Sequence, residues 1–105
     1  MSGYQPTIPM AALAEGDVVA TRVNNREVLI ALVEGQFYAF DAYCSHARQA
    51  LVGGRLRGFE MSCPLHGARF DIRSGACLAA PATQPIARFP VLLESGKVWV
   101  DVGAG

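Results

Sequence analysis

The sequence predicts an all-β domain, and three observations support this prediction. Short runs rich in β-branched and aromatic residues are separated by turns that carry Gly, Pro or Asn along the chain. The longest uninterrupted apolar stretch, 28–33, has the length of a strand and is far shorter than a membrane span. With 105 residues, the chain has the size of one domain with its own hydrophobic core. We therefore expect residues 1–105 to form a single domain.

The first half of the chain is expected to supply four strands. The expected elements are an edge strand at 4–8, a helical turn at 10–14, strands at 18–23, 27–33 and 37–41, and turns at 15–17 and 34–36. Pro6 and Pro9 break the first strand, which favours an edge position. Asn24-Asn25 predicts a hairpin tip because Asn tolerates a positive φ. The last strand of this half leads the chain to Cys44.

The second half is expected to supply four more strands. They cover 59–63, 68–72, 86–93 and 97–102, with turns at 74–75 and 94–96 and a Pro- and Ala-rich loop at 79–85. Apolar and polar residues alternate in the first two of these strands, as in a half-buried strand. Pro90 is expected to produce an edge or a bulge in the third. Gly53 and Gly54 are expected to allow the tight turns that bring together the loop after the strand at 37–41 and the loop after the strand at 59–63.

Composition and charge exclude several classes of function. The formal net charge is zero, which argues against nucleic-acid binding and gives no basis for attraction to a membrane surface. Three cysteines are an odd number, so a secreted disulfide framework is not expected and a cytoplasmic location is favoured. The first residues lack the basic and apolar regions of a secretory signal, which agrees with that expectation.

Four candidate metal ligands lie in two short segments. Cys44 and His46 form a Cys-X-His pair, and after sixteen residues Cys63 and His66 form a Cys-X-X-His pair. A structural zinc ion and a [2Fe-2S] cluster with two Cys on one iron and two His on the other both accept such ligands. Common zinc sites group like ligands together, whereas here each segment supplies one Cys and one His. This arrangement favours the two unlike irons and leaves zinc as an alternative.

The same segments resemble those of Rieske-type [2Fe-2S] ferredoxins. The spacing of the four ligands is that of the Rieske motif, and Gly67 follows the last of them. The run 63–71 resembles the second loop of these ferredoxins, and the similarity extends over about 16–102. It implies the Rieske fold, with stacked antiparallel sheets and a small cluster-binding subdomain of two ligand loops at about 42–83. The loop at Pro81 would cover the cluster from a third side.

The resemblance also implies a ligand set. Cys44 and Cys63 would bind the buried iron, and His46 and His66 would bind the outer iron of one Rieske-type [2Fe-2S] cluster per chain. No residue of the chain is expected to be catalytic.

By the same resemblance, the chain is expected to be an electron carrier rather than an enzyme. It would transfer single electrons from an NAD(P)H-dependent flavoprotein ferredoxin reductase to a terminal ring-hydroxylating oxygenase that acts on aromatic compounds. It would work as a monomer, with no nucleic acid or membrane as partner. Two alternatives remain at this point. One is a small Rieske-type subunit of another oxidoreductase such as a nitrite reductase, and the other is a zinc-stabilised binding module without a redox role.

Departures from high-potential Rieske proteins predict a low reduction potential. Gln49 and Leu65 stand where those proteins carry an additional disulfide, and Ala68 and Phe70 stand where they carry a Ser and a Tyr whose hydroxyl groups donate to the cluster. Fewer donors stabilise the added negative charge less. We therefore predict a potential on the order of −150 mV, at the low end of the Rieske range.

Three further expectations concern residues outside the motif. Cys77 is expected to lie in or near the core rather than to act as a ligand. Trp99, Phe37 and Tyr38 are expected to pack in the core rather than to form a docking surface. Four arginines near the ligand loops either steer an acidic partner or are simply solvated; they are Arg48, Arg55, Arg57 and Arg69.

Overall fold

A computed structural model describes residues 3–44, 50–64, 67–79 and 84–104. In these residues the chain forms eleven strands and two single-turn 3₁₀ helices, at Met10–Ala12 and Val102–Ala104. The strands are β1 Gln5–Pro9, β2 Val18–Val23, β3 Arg26–Val33, β4 Gln36–Asp41, β5 Arg55–Arg57, β6 Glu60–Ser62, β7 Arg69–Asp71, β8 Cys77–Ala79, β9 Arg88–Phe89, β10 Val91–Glu94 and β11 Lys97–Val100. None of the helices described is long or apolar enough to cross a membrane.

The strands form three antiparallel sheets, which confirms the all-β prediction. The central sheet has the order β2-β3-β4-β9, and the small sheet has the order β5-β6-β7-β8. The terminal sheet has the order β1-β11-β10, so β1 is an edge strand as expected. Every strand pair among the described residues is antiparallel.

The central sheet is buried on both faces, which explains the continuous apolar run in β3. Leu29, Ala31 and Val33 pack in one core cluster with residues of the small sheet such as Phe70. The intervening Val28 and Ile30 pack in a second cluster with residues of the terminal sheet. Successive side chains of a strand point to opposite faces, so a strand covered on both sides is apolar throughout. The sheets are therefore stacked in the order small, central, terminal.

Three hairpins have two-residue tips with positive φ at both positions. Asn24-Asn25 has φ of 50° and 66°, Glu34-Gly35 has 53° and 76°, and Ser95-Gly96 has 53° and 73°. Such tips match the right-handed twist of the paired strands. The first tip is where the sequence predicts it. The other two are one residue shorter than predicted, because Gln36 and Glu94 pair within the ladders.

Strands β5 and β8 are not predicted by the sequence. Each contains only three residues, which is too short for an alternating pattern to be recognised. They exist because β6 and β7 offer them ladder partners, with Leu56 opposite Met61 and Cys77 opposite Phe70. Both are edge strands of the small sheet.

Pro90 divides the strand expected at 86–93 into β9 and β10. β9 pairs with β4 in the central sheet, whereas β10 pairs with β11 in the terminal sheet. Proline has no N–H to donate, so it suits the point where the chain leaves one ladder for another. Its carbonyl oxygen accepts a hydrogen bond from the Asp101 N–H at 3.3 Å. The predicted interruption is confirmed.

The aromatic residues only partly follow the prediction. Phe37 and Tyr38 are half-buried and pack against the two core clusters, as expected. The prediction of core packing is wrong for Trp99. Its neighbour Val98 occupies the buried face of β11, and the indole lies on the opposite face. The indole N–H instead donates to the Glu94 carbonyl oxygen at 3.0 Å.

Candidate metal centre

Cys44 lies just beyond the end of β4, inside the core. Only 4% of its surface is exposed, and it belongs to the cluster between the central and small sheets. The loop that it begins is closed at its base by a bridge between Tyr43 and Ala50 and by the Leu51 N–H, which donates to the Ala42 carbonyl oxygen at 2.7 Å. The second predicted ligand of this loop, His46, lies outside the described residues.

Cys63 occupies the corresponding place after β6. It is 2% exposed and belongs to the same core cluster as Cys44. Its N–H donates to the Ala68 carbonyl oxygen at 2.7 Å, and its carbonyl oxygen accepts from the Gly67 N–H at 3.1 Å. Gly67 has a φ of +75°, a conformation that favours glycine, and it closes the loop before β7. His66, immediately before it, lies outside the described residues.

Gly54 brings the segment after the first loop against the second loop. A Cβ at this position would overlap the Ser62 carbonyl oxygen and lie 2.9 Å from its carbonyl carbon. A Cβ at Gly53 would meet only the Pro64 side chain, at an ordinary 3.8 Å. The predicted role of the two glycines in tight turns therefore becomes, for Gly54, a close approach between two backbones.

The donor set fits the two thiolate positions of a Rieske-type centre. Cys44 and Cys63 each follow a strand, begin a loop and belong to a shared apolar core, and neither is in a disulfide. A histidine follows the first by two positions and the second by three. Within the described residues no three His, Cys, Asp or Glu side chains form a possible metal site, and both histidines lie outside that range.

A polar network at the base of the first loop is missed by the sequence prediction. The Tyr43 hydroxyl donates to Glu27 at 2.9 Å, and the Tyr43 N–H donates to the Asp41 carboxylate at 3.2 Å. Glu27 is paired with Arg22 at 3.1 Å, and Asp41 with Arg26 at 3.4 Å. The residue before Cys44 is thus held by both its side chain and its backbone. Glu27 lies sixteen residues before Tyr43, and Arg26 lies fifteen before Asp41, so only the pairing of β3 with β4 brings these partners together.

The other predicted residues around the loops fall into three groups. Ala68 and Phe70 are fully buried and carry no hydroxyl group. Cys77 is half-buried against the core, as predicted, and its Sγ lies 3.7 Å from the Ala79 carbonyl oxygen. Four more positions lie outside the described residues: Arg48, Gln49, Leu65 and Pro81.

An ion pair lies just past the end of β7. Arg73 contacts the Asp71 carboxylate at 2.8 Å, and its guanidinium stacks over the Phe59 ring at 4.0 Å from the centroid. The side-chain hydrogen bond from Arg73 lowers the pKa of Asp71 below its usual 3.8. The same bond raises the pKa of Arg73.

Comparisons with known proteins agree with this arrangement. The family model described as the Rieske [2Fe-2S] domain matches residues 3–90. The ferredoxin component of the naphthalene 1,2-dioxygenase system of Pseudomonas putida is 39% identical over 95 residues, which cover 90% of this chain and 91% of the relative.

Solved structures of the same kind share the fold. The ferredoxin of carbazole 1,9a-dioxygenase from Nocardioides aromaticivorans IC177 superposes with a TM-score of 0.88 at 30% identity, over 92% of this chain and 95% of that one. A complex of reduced oxygenase and oxidized ferredoxin in carbazole 1,9a-dioxygenase contains a chain with a TM-score of 0.88 at 27% identity, over 96% of this chain and 94% of that one. The predicted stacked-sheet fold is confirmed.

Proposed function

Because this chain belongs to the Rieske [2Fe-2S] domain family, we propose that it is a ferredoxin of an aromatic-ring-hydroxylating dioxygenase system. In this role it carries single electrons to a terminal oxygenase. The observation that carries the proposal is the pair of buried thiols at the ends of β4 and β6, each at the start of a loop that also holds a histidine. The relative from Pseudomonas putida, matched over 91% of its length, supports the choice of system.

The proposed ligands are the four residues of the two loops. Cys44 and Cys63 supply thiolates, and His46 and His66 supply imidazoles, to one [2Fe-2S] cluster. When bound there, such a cluster accepts and releases one electron, and its two neutral imidazole ligands make reduction easier than in an all-Cys ferredoxin. The burial of both thiols and the closed base of each loop support this assignment.

The chain's own contribution is to hold the two loops in place and keep water from the thiols. Cys44 and Cys63 share one apolar cluster, and no polar or charged side chain among the described residues is buried in it. Backbone hydrogen bonds to Ala42 and Ala68 close the loops. We assign no residue to substrate chemistry, so the chain is proposed to be a carrier and not an enzyme.

The proposed donor is an NAD(P)H-dependent flavoprotein reductase, and the proposed acceptor is the terminal oxygenase. The solved complex of an oxygenase with a ferredoxin of this fold supports the second of these. A monomer in the cytoplasm is proposed as the working form. The three cysteines, all present as thiols, are compatible with that reducing compartment.

Two measurements test the proposal. Iron and sulfide analysis with EPR of the dithionite-reduced protein is expected to give two irons, two sulfides and a paramagnetic reduced state. The purified protein is then expected to replace the ferredoxin component of the Pseudomonas putida naphthalene 1,2-dioxygenase system in product formation. A colourless protein that contains one zinc ion would contradict the ligand assignment. An intact cluster without electron transfer in the assay would contradict the assigned system.

A matched pair of variants tests the ligands within the chain. Cys63→Ala is expected to abolish the visible absorbance of the cluster, because it removes a proposed ligand. Cys77→Ala is the control, since Cys77 is a half-buried thiol on β8 that the proposal leaves outside the ligand set. Equal loss of iron in both variants would contradict the distinction.

A further inference from the structure

The charges of this neutral chain are divided between its two parts. Residues 42–83 contain five arginines and two carboxylates, whereas the rest of the chain contains four basic and seven acidic residues. The part that holds the proposed ligands is therefore net positive, and the remainder is net negative. An overall charge of zero hides this division.

The positive charges of the small sheet lie on its outer face. Leu56, Met61, Phe70 and Cys77 pair across the four strands and face the core. The alternate residues point to solvent. One row across the sheet joins Arg55 to Ser62 and Arg69, and the next joins Arg57 to Glu60 and Asp71. The first of these rows is adjacent to the second ligand loop, because Ser62 precedes Cys63.

The carboxylates of this face are already paired. Glu60 contacts Arg69 at 3.1 Å, and Asp71 contacts Arg73 at 2.8 Å. Arg55 and Arg57 are exposed, and neither has a carboxylate within ion-pair distance among the described residues. Two unneutralised guanidinium groups therefore remain on edge strand β5.

The acidic residues of the remainder include Glu27 and Asp41, which lie beside Tyr43 and are each paired with an arginine, and Glu15, which lies at another turn. Glu15 accepts hydrogen bonds from the backbone N–H groups of Glu34 and Gly35, at 2.6 and 3.1 Å, so its carboxylate lies at the turn before β4. β4 leads from this turn to Cys44, and its six residues span about 17 Å. The Glu15 carboxylate and Cys44 therefore lie at opposite ends of β4.

We propose that the outer face of the small sheet docks an acidic face of the protein that exchanges electrons with this chain. Arg55 and Arg57 of β5 would make the main contacts. This inference rests on the proposed function. With zero net charge the chain is not attracted as a whole, but its charge division turns the ligand loops toward a negative surface during encounter. Two unpaired arginines are fewer than the four to eight that typically hold an anionic membrane surface. A protein partner is therefore the occupant that fits.

Small redox ions of opposite charge test the proposal without a purified partner. In the assay, each dithionite-reduced protein molecule gives one electron to ferricyanide, which becomes ferrocyanide, or to hexaamminecobalt(III), which becomes cobalt(II). Arg55→Gln/Arg57→Gln is expected to react more slowly with the anionic oxidant and faster with the cationic one. For approach to about 8 Å at 0.1 M salt, screened Coulomb interaction gives about a threefold change per arginine. Added salt is expected to reduce both effects.

The control removes the same number of charges elsewhere. Arg88→Gln/Lys97→Gln changes exposed basic residues of β9 and β11, outside the small sheet, and is expected to leave both rates within about twofold. The reduction potential and visible spectrum of all variants are measured to verify that the centre is unchanged. Equal effects of the two double variants, or rates insensitive to salt, would overturn the docking assignment. Failure of the wild-type protein to cycle one electron would instead overturn the proposed function.

A readout independent of electron transfer completes the test. The neutral wild-type protein is expected to be retained on a cation-exchange resin at pH 7 and low salt, and Arg55→Gln/Arg57→Gln is expected to elute earlier than the control. The same elution for both would contradict a distinct positive face. Sedimentation with vesicles that contain phosphatidylserine is expected to leave the protein in solution. Binding to them that requires Arg55 and Arg57 would assign the face to a membrane instead.

Discussion

Gly54→Ala is expected to separate the two ligand loops, whereas Gly53→Ala is expected to leave them in contact. An alanine Cβ at 54 would overlap the Ser62 carbonyl oxygen and lie 3.1 Å from the Leu51 carbonyl oxygen. Both obstacles are backbone atoms, so a change of side-chain rotamer cannot relieve them. At Gly53 the nearest atom to a new Cβ is the Pro64 Cγ at 3.8 Å, which is ordinary van der Waals contact.

The expected loss of stability in Gly54→Ala follows from the backbone movement that the new Cβ requires. Relief at position 54 requires β5 to move away from β6, where Arg55 pairs with Ser62. Overpacking that side chains can absorb costs about 1–3 kcal/mol. The loss of about two ladder hydrogen bonds adds about 1 kcal/mol each, so we expect about 3–5 kcal/mol in total. For a domain of this size, that lowers the Tm by at least about 12 °C. Gly53→Ala is expected to change stability by less than about 1 kcal/mol, since it also restricts the unfolded chain.

Thermal unfolding followed by circular dichroism, with iron content measured on the same samples, checks this expectation. Gly54→Ala is expected to lose iron as well as stability, because its backbone contact joins the two loops. A Gly54→Ala protein with the wild-type Tm and iron content would refute the close approach. Equal destabilisation by Gly53→Ala would show that any side chain in this segment is harmful, and would refute the specific role of Gly54.

Three other predictions address single groups. Gly67→Ala is expected to lower the free energy of unfolding by about 1 kcal/mol through strain at its positive φ, and Gly67→Asn by less; equal losses in urea titrations would contradict this. Because Arg73 lowers the folded-state pKa of Asp71, this pair stabilises the protein above the unfolded pKa of 3.8, and the contribution is lost as pH falls through the lowered value. The stability difference between wild type and Arg73→Gln should therefore shrink in acid, and a constant difference in urea titrations across pH would contradict it. Ala68→Ser and Phe70→Tyr each add a hydroxyl donor. Each is expected to raise the reduction potential by about 60 mV for a new hydrogen bond of about 1.4 kcal/mol. Voltammetry that shows no change in either variant would contradict the reasoning behind the predicted low potential.

The parts of the fold that the sequence predicted are those with local signals. Asn24-Asn25 predicts its hairpin because Asn is one of the few residue types that accept a positive φ, which this tip requires at both positions. The apolar run of β3 predicts a strand, but the structure is needed to show that other sheets cover both of its faces. Pro90 predicts an interruption of its strand because it lacks an N–H group. That the chain changes from the central to the terminal sheet here depends on the strands that pair with β9 and β10.

The parts that the sequence could not predict depend on residues distant in the chain. Three residues of β5 carry no recognisable period, and they form a strand because β6 offers a ladder. The sequence predicts Gly54 only as a turn residue, and the structure shows that it also lies against the Ser62 carbonyl. The hydrogen bond from Tyr43 to Glu27 joins positions sixteen residues apart, so no short-range pattern indicates it. The same limit applies to Trp99, whose outward face is set by the register of β11.

The candidate centre itself combines both kinds of information. The residue types and the spacing within each pair are local, so the sequence alone predicts the four ligands. The relation between the pairs is not local, because Cys44 follows a strand of the central sheet and Cys63 follows a strand of the small sheet. One apolar core between these sheets contains both thiols. The separation of the two sulfurs is therefore fixed by packing and by the backbone contact at Gly54, rather than by the number of residues that connect them. The core on the other side of the central sheet contains neither cysteine, but it includes Ala39 of β4, so it also supports the strand that leads to Cys44.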